Sequence, residues 1–478
     1  MTFPNALKKQ LIRLLGADYV KDDRVTLYSY QCDAQVLHGA TPMGVVWPDS
    51  AEAVQGVVRL LHREGITFLP RGAGTGLSGG AIPENNAVII ETARLNRVLG
   101  IDPVNRSIEV EPGVVNINIS NAARPHGLCF VPDPSSQKAC TIGGNAAENS
   151  GGPHTLKYGV TVNHVMGMDL ILPDGELVTL GADHFCSAGP DLTGLAIGSE
   201  GTFGIVTKVI CRLTPLPEDT ITMLAVFDSV RGACEAVSGI IRAGIVPAAL
   251  EMMDQVTIEA VQKARDAGFP RDAAAVLIIE LEDLNAGIDA QALEIESVLE
   301  ASGATRVSRA RDQAERDSIW AARKGAFGAI GQLSPSYYTQ DGVIPRSRLP
   351  EVLDKILEIG RGHGLTIANV FHAGDGNLHP LILYDYKNED EVKRCEQAGE
   401  QILRVCVNVG GSLSGEHGIG LEKSGLMDQV FNSEDLENMK RVRDVFNPDN
   451  LLNPGKIFPQ PGRCAEVKGS LMNRGVEA

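Results

Sequence analysis

The chain has 478 residues, enough for two or three domains around a large buried core, and a composition of 43% hydrophobic and 22% charged residues excludes a largely disordered protein. Lys and Arg number 43 against 60 Asp and Glu, and the net charge of −17 argues against nonspecific nucleic-acid binding or an anionic membrane surface as partner. Glycine is the outlier at 52 residues, which in a folded chain predicts backbone brought close to ligands.

The opening, Met1 to Val20, reads as an amphipathic helix with Leu7, Leu11, Leu14 and Leu15 on one face. It lacks the charged start, apolar core and cleavage site of a secretory leader, and no apolar run reaches the roughly 18 residues that span a bilayer. The expected location is therefore the cytoplasm, without direct membrane insertion. The 9 cysteines include no C-x-x-C pair, so neither a disulfide framework nor a four-cysteine metal or iron–sulfur site is expected. Next come a short strand at Gly44–Trp47 and a helix from Ala51 to Glu64, capped by Ser50 and faced by Val54, Val57, Val58 and Leu61. Strands follow at Ile66–Leu69, Ala87–Ile90, Ile108–Val110, Asp169–Leu172 and Ile205–Leu213. The tract from Leu128 to Gly159, rich in Gly, Ser, Asn and Pro, has no period and reads as a long functional loop. Thr214-Pro-Leu-Pro217 breaks the chain. Beyond it, strands at Thr220–Phe227 and Ala274–Leu281 and helices at Val230–Ala243, Gln255–Ala267 and Ala286–Ala301 predict an open antiparallel sheet covered by helices. Helices near Arg311–Gly331, Arg348–His363 and Glu391–Val409, with strands near Tyr338–Ile344 and Leu365–His372, complete this part.

Pro70-Arg-Gly-Ala-Gly-Thr-Gly-Leu-Ser-Gly-Gly80 contains Gly74-x-Gly76-x-x-Gly79 after a strand. A nicotinamide-dinucleotide fingerprint should then open a helix and place an acidic residue about 20 positions on. Here the next strand arrives at Ala87 instead, and Glu91 lies too close. The phosphate-binding physics survives: backbone N–H groups of the loop can form an anion nest, with Arg71 adding charge and Thr75 and Ser78 adding hydroxyls. Thr141–Gly152 and Gly198–Gly204 repeat the small-residue style, so a long ligand such as a dinucleotide is expected along all three.

His372 and His379 flank an Asp-Gly turn in Phe371–Pro380, and Glu416 and His417 follow in Ser414–Gly420. Two His and one Glu form a known catalytic divalent-metal set. His417, beside Glu416, faces elsewhere in an extended stretch and is the candidate base. Arg323, on a predicted helix, could hold a substrate carboxylate bidentately. A metal-dependent hydrolase on His372, His379 and Glu416 competes with this reading but leaves the glycine tracts without a role. A noncatalytic subunit that only scaffolds a complex is a third reading.

Taken together, Pro70–Gly80, Pro132–Gly159, Gly198–Ile205, Phe371–Pro380, Ser414–Gly420, Leu452–Lys456 and the late Arg463-Cys-Ala-Glu466 resemble the FAD-linked D-2-hydroxy-acid dehydrogenases, of the vanillyl-alcohol oxidase and p-cresol methylhydroxylase (PCMH) type. The resemblance implies an α+β fold: a PCMH-type FAD-binding domain over 1–217, a ferredoxin-like α+β cap or substrate domain over 218–410, and a C-terminal segment, 411–478, that packs back on the FAD domain and completes the active site. It implies noncovalent FAD held by Arg71, Gly72, Gly74, Thr75, Gly76, Leu77 and Ser78 at the pyrophosphate, the pyrophosphate loop having no histidine for covalent attachment. Ser136, Thr141, Gly144, Asn145, Glu200, Gly201, Ile205 and Asn453 would line the rest. It assigns His372, His379 and Glu416 to a divalent metal, zinc or manganese, His417 to the base, Arg323 to the substrate carboxylate and Asn377 to a neighbouring polar contact. The implied reaction is oxidation of a small 2-hydroxy acid. Electrons would leave to an iron–sulfur or second flavin-type subunit, a quinone or an electron-transfer flavoprotein, and a partner subunit could bring the protein to a membrane. Relatives acting on 2-hydroxyglutarate tend to carry a lysine in the strand before Ile344-Pro345. This chain has Tyr338-Thr-Gln-Asp341, which favours glycolate or D-lactate unless Arg346 or Lys324 supplies the second cation.

Overall fold

The computed structural model describes residues 3–84, 86–183, 189–265 and 268–460; the Arg463–Glu466 motif lies outside them. The chain forms two compact units: Met1–Gly151 with Val160–Leu216 and Glu416–Ala478, and Gly152–Gly159 with Pro217–Gly415. No helix among the described residues is long and apolar enough to cross a membrane.

In the first unit a four-stranded sheet runs in the order Val20–Lys21, Gly44–Val46, Val88–Glu91, Phe68–Arg71, its last three strands parallel. Ser50 caps the helix Ala51–Arg63 by accepting the Ala53 N–H, and Val54, Val57, Val58 and Leu61 bury the face that covers this sheet. The N-terminal helix is shorter than predicted, Asn5–Leu15. Leu7 and Leu11 are buried, but Leu14 turns off that face and is 41% exposed. The tail returns to the sheet: Phe68 N–H donates to Leu451 O at 2.9 Å and Asn453 N–H to Phe68 O at 2.7 Å. A five-stranded antiparallel sheet follows, in the order Val98–Asp102, Ser107–Val110, Ile205–Arg212, Val165–Ile171, Leu177–Gly181. The tract 128–159 is not all loop. It holds a short helix, Ile142–Glu148, which ends on Asn149 in the left-handed region (φ 57°).

The second unit is a nine-stranded sheet whose central strands, Asp219–Phe227, Ala275–Asp283, Ala249–Asp254 and Ile367–His372, pair antiparallel. The helix predicted over 311–331 is two, Gln313–Lys324 and Ala326–Ile330, parted at Gly325. The predicted strand 338–344 is likewise two, Ser336–Thr339 and Gly342–Val343. Trp320 and Ile330 of these helices pack with Val276, Ile278 and Val370 of the sheet in one core, with Tyr337 at its edge.

Candidate active site

In the first unit, Arg71 ends the strand Phe68–Arg71 and is buried. Its guanidinium lies 5.1 Å from the Tyr30 ring centroid, and Nη1 donates to Ala81 O at 3.4 Å. The glycine loop then runs to the strand Val88–Glu91 with no helix among its described residues, as its sequence context predicts. Gly74 takes φ 66°, open to glycine at little cost, and a Cβ there would meet the Arg71 guanidinium. A Cβ on Gly72 would meet Thr141 Oγ1, and one on Gly420 would meet the Ser78 carbonyl. Ser78 Oγ and Thr141 Oγ1 are buried and have no hydrogen-bond partner in the protein. Thr75, Gly76 and Leu77 are half-buried in the loop, as is Ser136, and Gly144 lies within the helix Ile142–Glu148.

Other residues assigned to the cofactor are engaged with the protein itself. Asn145 accepts from Asn116 Nδ2 at 3.0 Å and donates to Ser150 Oγ at 3.2 Å. Asn453 donates to Gly80 O at 3.0 Å and Glu200 O at 2.8 Å. Gly201 takes φ 67° against Pro70, and Ile205 opens a buried strand. Glu200 accepts the N–H groups of Ile419 and Gly420, both at 2.6 Å. Glu416 and His417 precede these in a half-buried bend. The stretch is not extended, so the alternation of faces predicted for the two residues does not apply.

Burial pushes the Glu148 carboxyl well up, with the neighbouring Glu200 charge adding to it and Lys423 and Lys456 opposing.

In the second unit, His372 ends the strand Ile367–His372, and Asn377 stands opposite it across the turn. The rings of His372 and His379 lie 5.1 Å apart at 81°, both buried. Glu251, in register opposite His372 on the next strand, accepts from His372 Nδ1 at 2.7 Å. Its other oxygen lies 2.5 Å from Arg323 Nη2, an ion pair off hydrogen-bond alignment. Arg323 is wholly buried, and none of its three nitrogens makes an aligned hydrogen bond in the protein. Burial pushes the Glu251 carboxyl up; the charges of His372 and Arg323, with the hydrogen bond from His372, outweigh it and hold the group below its ordinary value. Asn377 Oδ1 is buried with no hydrogen-bond partner. Asp341 accepts from Ser414 Oγ at 2.6 Å and Gly415 N at 3.1 Å, and lies 3.5 Å from His379 Nε2. Ser414 and Gly415 are thus tied beside His379, and Glu416 is the next residue in the chain.

Residues 216–457 match the family described as FAD linked oxidases, C-terminal domain, and residues 42–181 match the FAD binding domain. The chain belongs to the FAD-linked oxidase family. It is 47% identical to glycolate oxidase subunit GlcD of Escherichia coli over 93% of this chain and 89% of that one. It is 32% identical to a D-lactate dehydrogenase of Anaerostipes hadrus over 93% of this chain and 94% of that one. Among solved structures, p-cresol methylhydroxylase with substrate bound superposes with a TM-score of 0.81 at 18% identity, covering 95% of this chain and 96% of that one. The α+β fold with a PCMH-type FAD-binding part is therefore established.

An FAD-linked oxidase must hold FAD, and the first unit fits it. Its orphaned hydroxyls, Ser78 Oγ and Thr141 Oγ1, need a polar ligand, and the glycines around them leave backbone where any side chain would fill the cradle. Glu251 and Asp341 are the residues that motif reading misses. The signal for Glu251 is a lone carboxylate inside the apolar run Ala248–Met253; Asp341 sits in plain view four residues before Pro345.

Proposed function

We propose that this FAD-linked oxidoreductase converts a small 2-hydroxy acid, glycolate or D-lactate, to the 2-oxo acid and passes the electrons to a partner. The observation that carries the reading is the buried pair His372 and His379, one of them oriented through Nδ1 by Glu251. Metal-ligating histidines are held this way by a carboxylate on the far ring nitrogen. The relatives support the substrate class, being glycolate oxidase subunits and D-lactate dehydrogenases.

In this reading 1–217 and 411–478 hold the flavin and 218–410 the substrate. His372, His379 and Glu416 would hold a divalent cation, zinc or manganese, which would supply positive charge to lower the pKa of the substrate's hydroxyl. Arg323 binds the carboxylate with Nε and Nη1, which the protein leaves unmatched, and Asn377 Oδ1 adds a polar contact. His417 takes the hydroxyl proton at a ring nitrogen. FAD, when bound, supplies the acceptor for the C2 hydride. Loss of that proton and hydride leaves the 2-oxo acid. The electrons go on to an iron–sulfur or second flavin-type subunit, a quinone or an electron-transfer flavoprotein. The protein works in the cytoplasm and meets a membrane only through such a partner.

Asp341 favours a small substrate. It is wholly buried and tied to Ser414 and Gly415, in the stretch where relatives acting on 2-hydroxyglutarate tend to carry a lysine, and so adds a carboxylate rather than a cation. Arg346 donates to Gly374 O at 3.0 Å. The test is turnover of glycolate, D-lactate, L-lactate and D-2-hydroxyglutarate with an artificial dye acceptor, quantifying the 2-oxo acid. Glycolate or D-lactate should be the best substrate; turnover of neither contradicts the reading.

A further inference from the structure

We infer that Glu251 is a positioning residue that sets the metal-binding histidine and the substrate-binding arginine through one carboxylate. The inference rests on the proposed roles of His372 and Arg323. Glu251 is 1% exposed, and antiparallel register places it opposite His372, so the two side chains leave the same face of the sheet. Oε1 accepts a hydrogen bond from His372 Nδ1–H at 2.7 Å. That contact fixes the tautomer and leaves Nε2 as the ring's remaining donor atom. Oε2 lies 2.5 Å from Arg323 Nη2 and offsets the charge of a guanidinium with no exposed surface. One rigid carboxylate on a central strand thus links the two groups, and moving it displaces both.

Glu251→Gln keeps the shape but replaces one acceptor oxygen with a donor that faces His372 or Arg323. Metal affinity, read by competition with a chromophoric chelator using zinc and manganese, should fall about 10–100-fold. KM for the 2-hydroxy acid should rise about tenfold, while the FAD absorbance spectrum and its stoichiometry stay as in the wild type. Glu251→Asp, which retains the charge, should recover part of both losses. The double variant Glu251→Gln, Arg323→Gln leaves no unpaired buried charge. It should fold and hold FAD, yet show the same loss of metal affinity as the single variant. Wild-type metal affinity and wild-type KM in folded Glu251→Gln overturn the inference. His372→Ala separates it from the reading on which it rests: the wild type should bind one metal and this variant none. A wild type that binds no metal overturns the metal assignment and the metal half of the inference together, and KM then decides whether Glu251 sets Arg323.

Discussion

Glu200 accepts the N–H of Gly420 at 2.6 Å across 220 positions of sequence, and that of Ile419 at the same distance. Its backbone sits in the left-handed region at φ 51°, which a non-glycine residue adopts at a cost. The carboxylate holds the turn that directly follows His417. Glu200→Ala removes both acceptors and leaves two N–H groups unmatched. The expected loss is about 1–3 kcal/mol for each group that stays buried, seen as a lower Tm of the FAD-bound protein and a lower kcat. An unchanged Tm would show that the turn is held by other contacts.

Gly74 is the position where a single methyl group reads the cradle most directly. Its φ of 66° disfavours any side chain, and the Cβ would press on the Arg71 guanidinium. Gly74→Ala should weaken FAD binding by about tenfold or more, or roughly 1.4 kcal/mol. Reconstitution of the apoprotein, followed by flavin fluorescence, measures it.

Burial pushes Asp33 to about 6 and Glu91 to about 7, against ordinary values of 3.8 and 4.5; Ala81 and Ala93 N–H groups and Arg71 oppose the shift without cancelling it. In each case the folded state binds more protons than the unfolded one between the two values. Stability is therefore greater on the acid side and falls as pH rises through about 4.5–7 for Glu91. Glu91→Gln should flatten the fall in Tm of the FAD-free protein across that window. A slope identical to the wild type would contradict the shift.

How far the fold can be read before it is seen depends on where each element is buried. The Ala51–Arg63 helix is legible because one face is buried and one is solvated, so Val54, Val57, Val58 and Leu61 repeat with the helix and Ser50 marks its start. The strand Ala249–Asp254 is buried along its whole length and shows no alternation, which hides both the strand and Glu251 within it. The helix Ser433–Phe446 fully buries no residue; Leu436, Met439 and Phe446 recur on one half-buried face among charged neighbours, and the capping box between Asn432 and Asp435 marks its start. Ile142–Glu148 is built from Gly143, Gly144, Ala146 and Ala147 and has the composition of a loop. Glycine motifs stand out in sequence because glycines cluster in them without a helix or strand period, and the paired histidines because the chain has only 10. The carboxylates that orient them do not, since strand register alone brings Glu251 to His372.

His417→Ala removes the proposed proton acceptor from a bend held by Glu200. It should lower kcat by about 10²–10⁴-fold while the flavin spectrum and metal content are retained. Rescue of part of the rate by added imidazole would identify the missing group as a base.

The most direct test of the account is anaerobic mixing of the purified flavoprotein with one equivalent of glycolate or D-lactate, with and without prior chelation, while flavin absorbance is followed. The account predicts loss of the oxidised-flavin absorbance with formation of the 2-oxo acid, suppression by the chelator and recovery when the metal is returned. An absorbance unchanged by either acid would contradict it.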